Sequence, residues 1–329
     1  MTKEDLGLEV SPNRLLPTTR ERVGLVVDGA NAASAVKTIV AAEAAGVRQI
    51  WMVQPPSGPD TLTTLSAAAT KTSTIRLGTS IVPTYPRHPL VLAQQALSLY
   101  DIAPGRLCLG IGPSHQAIIE GIYGLSQTTP LAHLREYVKM LRAALWEGKV
   151  DHHGQFFNVV ITLPRTTQTP VLISTLGKKA FELAGEIADG ALSWVCPVPY
   201  LLNTGIPALR RAAAANGRSA PPLVAHISVA LSEDRHSVMA AGHLVLDMYA
   251  KLPFYAKMFA DAGFPLTDSQ MVVPDSLLDS LIVSGNEATV AARFTELLAA
   301  GLDELMVTLV PIKDALDELT RLMHLIGQL

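Results

Sequence analysis

Three stretches of the chain repeat one pattern: AEAAGVRQIWMV at 42–53, ELAGEIADGALSWV at 182–195 and ELLAAGLDELMVTL at 296–309. Each is an apolar helix that stops at a glycine turn and runs straight into a short β-rich segment. Such a unit cannot bury its own apolar faces, so it must stack with others of its kind. Repeated helix–glycine–strand units give alternating strands and helices around a parallel sheet. Strands are predicted over 23–28, 49–54, 75–81, 107–111, 171–174, 191–195, 223–231 and 304–310. Eight βα units point to a closed (β/α)8 TIM barrel, with an open doubly wound sheet as the other arrangement the pattern allows.

The punctuation between the strands agrees. Gly46 closes a helix over 34–45, and Pro89 opens one that runs to Tyr100, each at the helix end that suits it. Further helices are predicted over 62–69, 117–123, 131–146, 177–187 and 313–325, with a less regular one over 200–215. Residues 150–159 read as a small hairpin turning at His153-Gly154. The spacing breaks after strand seven. Residues 232–285 show no clear strand, and Tyr249, Phe254, Tyr255, Phe259 and Phe264 crowd into them although aromatics make up only 5% of the chain. Insertions of this length are lids or binding loops, or else an extra helical layer or subunit contact, and both readings stay open. Residues 1–20 read as a poorly ordered arm without the apolar core of a signal peptide, and 21–329 as one barrel domain.

Composition narrows the function classes. Apolar residues reach 49% and charged ones 17%, enough for a large core. A net charge of −3 and no basic cluster interleaved with aromatics argue against nucleic acid. Cys108 and Cys196 lie far apart in apolar runs without metal spacing, and read as reduced core residues of a cytoplasmic protein. No uncharged apolar run reaches the length of a membrane span.

The chemistry of a parallel barrel gathers at the C-terminal ends of its strands. That face would carry Asp28, Gln54, Ser80, Tyr85, His88, Gly112, Ser114, His115, Thr175 and Trp194. The set holds no carboxylate pair placed as in a glycosidase. The chain has no Gly-x-Ser-x-Gly elbow, and GIGPSH lacks the third glycine of a dinucleotide fingerprint. His152 and His153 are adjacent on a strand and face opposite ways, so they read as hairpin residues and no metal is expected. Thr175-Leu176-Gly177-Lys178-Lys179 is a strand end opening through glycine into a helix, where free backbone N–H groups and two lysines suit a phosphate; a routine turn with solvated lysines is the other reading. Thr79-Ser80-Ile81 could form a shelf of small residues for a flat ring. His115 is the best general acid or base in the set, since imidazole titrates near working pH; a substrate-orienting hydrogen bond or a cap are the alternatives.

In order along the chain, Leu77-Gly78-Thr79-Ser80-Ile81, His88-Pro89 with Ala93-Gln94, Pro104-Gly105-Arg106 leading into Leu109-Gly110-Ile111-Gly112, His153-Gly154 with Phe157, and Ala188-Asp189-Gly190 form a specific series. With these, nearly the whole chain resembles the bacterial luciferase-like flavin and deazaflavin oxidoreductases, especially the actinobacterial branch dependent on coenzyme F420. The resemblance implies a barrel with insertions, a homodimer, and a deazaflavin, or FMN, at the C-terminal mouth. It implies a non-proline cis peptide at Ser80-Ile81 beneath the cofactor ring and a phosphate site on Leu176, Gly177 and Lys178. Gln54, Thr79, Ser80, Ile81, Gly112 and Ser114 would line the rest of the cofactor site, and Tyr85, His88, Trp194 and Phe254 the substrate side.

Relatives that oxidise glucose 6-phosphate or alcohols carry an Asp-His pair after strand two and a Glu after strand four. Here those positions are Gln54, Pro55 and His115. The resemblance therefore implies a reductase. A reduced deazaflavin would give a hydride to a C=C, C=N or C=O bond of a small or bulky apolar substrate, with His115 or water supplying the proton. An FMN-dependent monooxygenase and a non-catalytic flavin-binding relative are the alternatives.

Overall fold

Short runs of bulky apolar residues, each closed by a polar turn, become eight strands: β1 (Val23–Val26), β2 (Gln49–Met52), β3 (Arg76–Thr79), β4 (Leu107–Gly112), β5 (Val171–Thr175), β6 (Gly190–Ser193), β7 (Leu223–Ala230) and β8 (Glu304–Leu309). The computed structural model describes residues 17–266 and 272–329. Every strand pairs in parallel with the next, and β8 returns to β1 with Leu305 opposite Val23. The sheet is closed, as the eight βα units require, and the open-sheet arrangement does not occur. Each strand ends within two residues of its predicted bound, mostly on the short side, because the chain turns out of the ladder at the polar mouth. None of the described helices is long and apolar enough to cross a membrane.

The barrel interior is built around one side chain. Trp51 on β2 is 1% exposed and packs with Val26, Leu172, Leu192, Val224 and Met306 inside the ring of strands. Glycine flanks it on both sides: a Cβ at Gly24 on β1 or at Gly78 on β3 would run into the indole. Below this layer Arg76 pairs with Glu304 at 2.6 Å and donates to Gln49 at 2.7 Å, a polar floor at the N-terminal end. A larger apolar cluster lies outside the sheet, between strands and helices.

Several elements differ from the sequence reading. Part of the predicted arm is fixed: Thr18 caps a short helix, Thr19–Arg22, and Arg22 donates to the carbonyls of Leu302 and Asp303, each at 2.7 Å. Residues 1–16 lie outside the described residues. The long helix over 131–146 is Pro130–Arg142 followed by a π-helical turn, Ala143–Glu147, and the irregular start at 200 is a second such turn, Leu201–Gly205. The insertion after β7 holds helices Arg235–Ala250, Pro253–Asp261 and Asp275–Leu281, and then an unforeseen strand, Ile282–Ser284. That strand pairs with the outer half of β7, Ile282 opposite Ser228, and three residues on the heels of a leucine-rich helix give no alternation to read. The hairpin pairs Lys149–His153 with Asn158–Thr162. Its tip is held by Glu136, which accepts from the amides of Phe156 and Phe157 and pairs with His152 at 2.8 Å.

The Trp51 packing has a measurable consequence. Gly78→Ala forces a methyl group into the indole and is expected to lower stability by about 2 kcal/mol, seen as a lower urea midpoint. An unchanged midpoint would show that the indole has room to yield.

Candidate active site

The C-terminal mouth is walled by an unbroken series of rings. It starts inside β7 with His226, which is buried. Its Nδ1 accepts from the Val195 amide at 3.3 Å, so the proton sits on Nε2, which donates to Thr308 Oγ1 on β8 at 3.0 Å. Burial pushes this imidazole down to about 3, so it is neutral. Trp194, just past β6, stacks on it with centroids 3.9 Å apart and planes 28° apart. The Trp194 indole N–H donates to the hydroxyl of Tyr249 at 2.7 Å, which ties the insertion to the barrel. Tyr249 lies 4.7 Å from Tyr255, and Tyr255 lies 5.8 Å from His115, at the end of β4. The rings thus span from β4 to β7.

His115 caps the helix Gln116–Gly121 with its backbone only, since its side chain makes no cap bond. Burial lowers its pKa with no charge to oppose it, so at neutral pH it is an uncharged imidazole. The turn before it is fixed: Ser114 has a left-handed backbone, φ 62°, and Gln127 donates to the Pro113 carbonyl at 2.7 Å. Asp28, two residues beyond β1, is exposed at the mouth yet close enough to protein atoms that desolvation raises its carboxyl, with no cation to offset it.

Between β3 and β4 the ladder slips. From the Gly78–Cys108 pair to the Val82–Ile111 pair one strand advances four residues and the other three. Thr79 bridges the slip, its hydroxyl accepting from Gly110 N–H at 2.8 Å and donating to Gly110 O at 2.7 Å. The Ser80–Ile81 bond that follows is cis, and the buried Ser80 hydroxyl has no partner among the described residues. At β5, Gly177 is the N-cap of Lys178–Ile187, without a side-chain cap, and a Cβ there would meet only open space. Lys178 is exposed and reaches Glu182 at 3.9 Å, and the Leu176 carbonyl accepts from Tyr200 at 3.1 Å.

Other predicted site residues are placed differently. Thr79 is fully buried, its hydroxyl spent on Gly110, so it holds strands together and offers nothing to a ligand. Gly112 makes room for Ser174, not for a ligand, since a Cβ there would collide with that side chain. The Gln54 oxygen accepts from Thr61 N at 2.8 Å and caps a helix. His88 caps the helix Pro89–Ile102 through Nδ1, 3.2 Å from Leu90 N. Tyr85 stacks on His133 at 4.0 Å and donates to the Thr128 carbonyl at 2.7 Å, in a separate aromatic cluster. Phe254 is 57% exposed; its neighbour Tyr255 faces the mouth instead, since adjacent helix positions point about 100° apart. The sequence reading did not single out His226, and it placed Tyr249 and Tyr255 only in an insertion that could be a lid or binding loop. A lone histidine in the apolar run LVAHISVA was the available signal for the first, and the aromatic crowding at 249–259 for the others.

A closed parallel barrel with an aromatic mouth at its C-terminal face, a kinked β3 and an uncapped helix after β5 is the framework of an α/β-barrel enzyme. The chain belongs to the luciferase-like monooxygenase family, which matches residues 15–304. It is 26% identical over 286 residues to the 5,10-methylenetetrahydromethanopterin reductase of Methanolobus tindarius, covering 80% of this chain and 86% of that one. It is 28% identical over 289 residues to the F420-dependent glucose-6-phosphate dehydrogenase of Kineococcus radiotolerans, covering 81% and 84%. The solved coenzyme F420-dependent tetrahydromethanopterin reductase of Methanopyrus kandleri shares the fold, with a TM-score of 0.72 at 21% identity over 93% of this chain and 96% of that one.

The neutral His226 couples the mouth to pH. Its folded pKa lies far below the unfolded value, as does that of buried His133 at about 4, so the unfolded chain binds more protons on acidification. Their contribution is complete above the ordinary histidine value and is lost as pH falls toward 4 and then 3. His226→Gln should therefore narrow the difference between melting temperatures at pH 7 and pH 5. An undiminished difference would place the acid sensitivity elsewhere.

Proposed function

We propose that the chain is a coenzyme F420-dependent oxidoreductase working as a reductase on a small, uncharged or bulky apolar molecule. The observation that carries this reading is the open cradle at Gly177: a helix N-terminus with no side-chain cap, clear space where a Cβ would stand, and Lys178 and Lys179 beside it. Backbone N–H groups at such a terminus hold a phosphate. The unpartnered Ser80 hydroxyl by the cis Ser80–Ile81 bond fits the edge of a flat polar ring, and Leu176, Gly177 and Lys178 fit its charged tail. Relatives named for coenzyme F420 support the deazaflavin over FMN.

When bound, the reduced deazaflavin supplies a hydride. The chain's own part is to orient and to shield. Ser114 and His115 border the ring side at the end of β4. His115, being uncharged, holds no spare proton at neutral pH; it serves as a hydrogen-bond donor or passes a proton from solvent. Trp194 and Tyr255 wall the substrate side and exclude water. The Gln54-Pro55 pair and His115 replace the residues implied for sugar-phosphate or alcohol oxidation, which favours the reducing direction. A homodimer is part of the same proposal.

Fluorescence titration with oxidised coenzyme F420 and, in parallel, FMN tests the reading. Binding of the deazaflavin alone is expected, and preference for FMN would move the chain to flavin-dependent chemistry. Gly177→Asp separates the cradle from the fold. Aspartate is a good N-cap and there is room for it, so the melting temperature should hold or rise. Its charge lies where the phosphate binds, so cofactor affinity should fall by roughly tenfold or more. An unaltered affinity would place the phosphate elsewhere.

A further inference from the structure

The mouth is electrically divided, and the division says what can enter beside the cofactor; this step rests on the oxidoreductase reading above. The phosphate cradle, with Lys178 and Lys179, lies at the end of β5. Asp28 lies at the end of β1, four strands away in either direction around an eight-stranded ring and so across the mouth from the cradle. Between them stands the series of rings: His226 and Trp194 on the strand side, Tyr249 and Tyr255 from the insertion, His115 at β4. Both histidines are uncharged, so nothing in this wall attracts an anion, and Asp28 has no cation to neutralise it.

One hydroxyl in the wall is aimed. Tyr249 Oη accepts the indole N–H of Trp194, which leaves its own proton free to be given, and no group among the described residues accepts it. Burial and the nearby Asp28 both raise the Tyr249 phenol above its ordinary value, so it stays protonated and acts only as a donor. The hydroxyl is half-buried, and its proton is available to a ligand oxygen. Trp194 is stacked on His226 on one side and is part-exposed, and an aromatic face of this kind favours a flat, conjugated guest.

We propose that the substrate side of the mouth takes a planar conjugated carbonyl compound carrying no negative charge, laid against Trp194, with its oxygen hydrogen-bonded by the Tyr249 hydroxyl. Asp28 excludes anionic relatives of the same shape. A carboxylate with no cation beside it disfavours a second negative charge brought near it.

The probes are fluorenone, a flat neutral ketone, and its carboxylate. Binding is read from tryptophan fluorescence, with and without saturating oxidised coenzyme F420. Trp194 is the reporter, because Trp51 is sealed inside the barrel and Trp146 lies under the Arg142 guanidinium, 4.3 Å from its ring. Fluorenone should quench saturably in the wild type, and Trp194→Phe should lose the quench. Tyr249→Phe keeps the ring and should weaken binding about tenfold. The carboxylate should bind at least about tenfold more weakly than fluorenone in the wild type, and Asp28→Asn should erase that difference. Equal affinity for the two probes in the wild type, unchanged affinity in a folded Tyr249→Phe, or no saturable quench with or without cofactor would overturn the proposal. If Tyr249→Phe does not fold, the charge preference and its loss in Asp28→Asn decide alone. Cofactor binding is followed separately by the fluorescence of coenzyme F420 itself. Fluorenone binding without cofactor binding would refute the cofactor reading and leave this one standing; the reverse would refute only this one.

Discussion

Thr79 and Gly110 hold the barrel closed at the place where its ladder slips. A parallel barrel tolerates an extra residue in one strand only if the neighbours stay bonded across the fault. Here one hydroxyl makes both bonds that the backbone would have made, and it can do so because residue 110 is a glycine, with the Thr79 carbonyl packed where a Cβ would be. Between Thr79 and the point where the chain rejoins β4 at Val82, Ser80 and Ile81 stand out of the ladder. Ser80, with its unpartnered hydroxyl, stands there because Thr79 is anchored behind it. A threonine on which the resemblance places a ligand contact does a different job: it lets the next residue be free.

The insertion depends on the barrel in a similar way. Its helices pack through apolar contacts, and Leu277, Leu278 and Phe259 are buried. Such contacts set distance more than orientation. The Trp194–Tyr249 bond is what orients the insertion's polar edge, and Trp194 is itself held flat by a histidine with both ring nitrogens engaged. Strand β7 therefore governs the position of a side chain on a helix nearly twenty residues further on.

How much of this could be read from the residues differs by level. The eight strands were legible because each is a run of bulky apolar residues between glycine or proline turns, and burial on both faces imposes that pattern. The cradle at Gly177 was legible for the same reason, since a strand end, a glycine and a helix follow one another locally. The strand Ile282–Ser284 was not, because its partner β7 lies more than fifty residues back and nothing local marks it. Residue roles at the mouth divided along the same line. Tyr85 and His88 are polar residues in a barrel loop, as a substrate site would want, but contacts with Thr128, His133 and Leu90 take them up. Phe254 and Tyr255 differ by one helix position, and only the packing of Met258 and Phe259 decides which of them turns inward.

The two ends of the described chain meet on the side away from the chemistry. Arg20, in the short helix that precedes β1, reaches the carbonyl of Gly327 in the last helix, Ala315–Gln328, and that glycine packs in turn against Ala45. Both lie at the N-terminal end of the strands, opposite the mouth. A carrier protein, a surface anchor or a second enzyme joined after the last helix would start from the floor of the barrel, on the side away from the rim of rings. The last helix thus lends itself to immobilisation without masking the face where small molecules arrive.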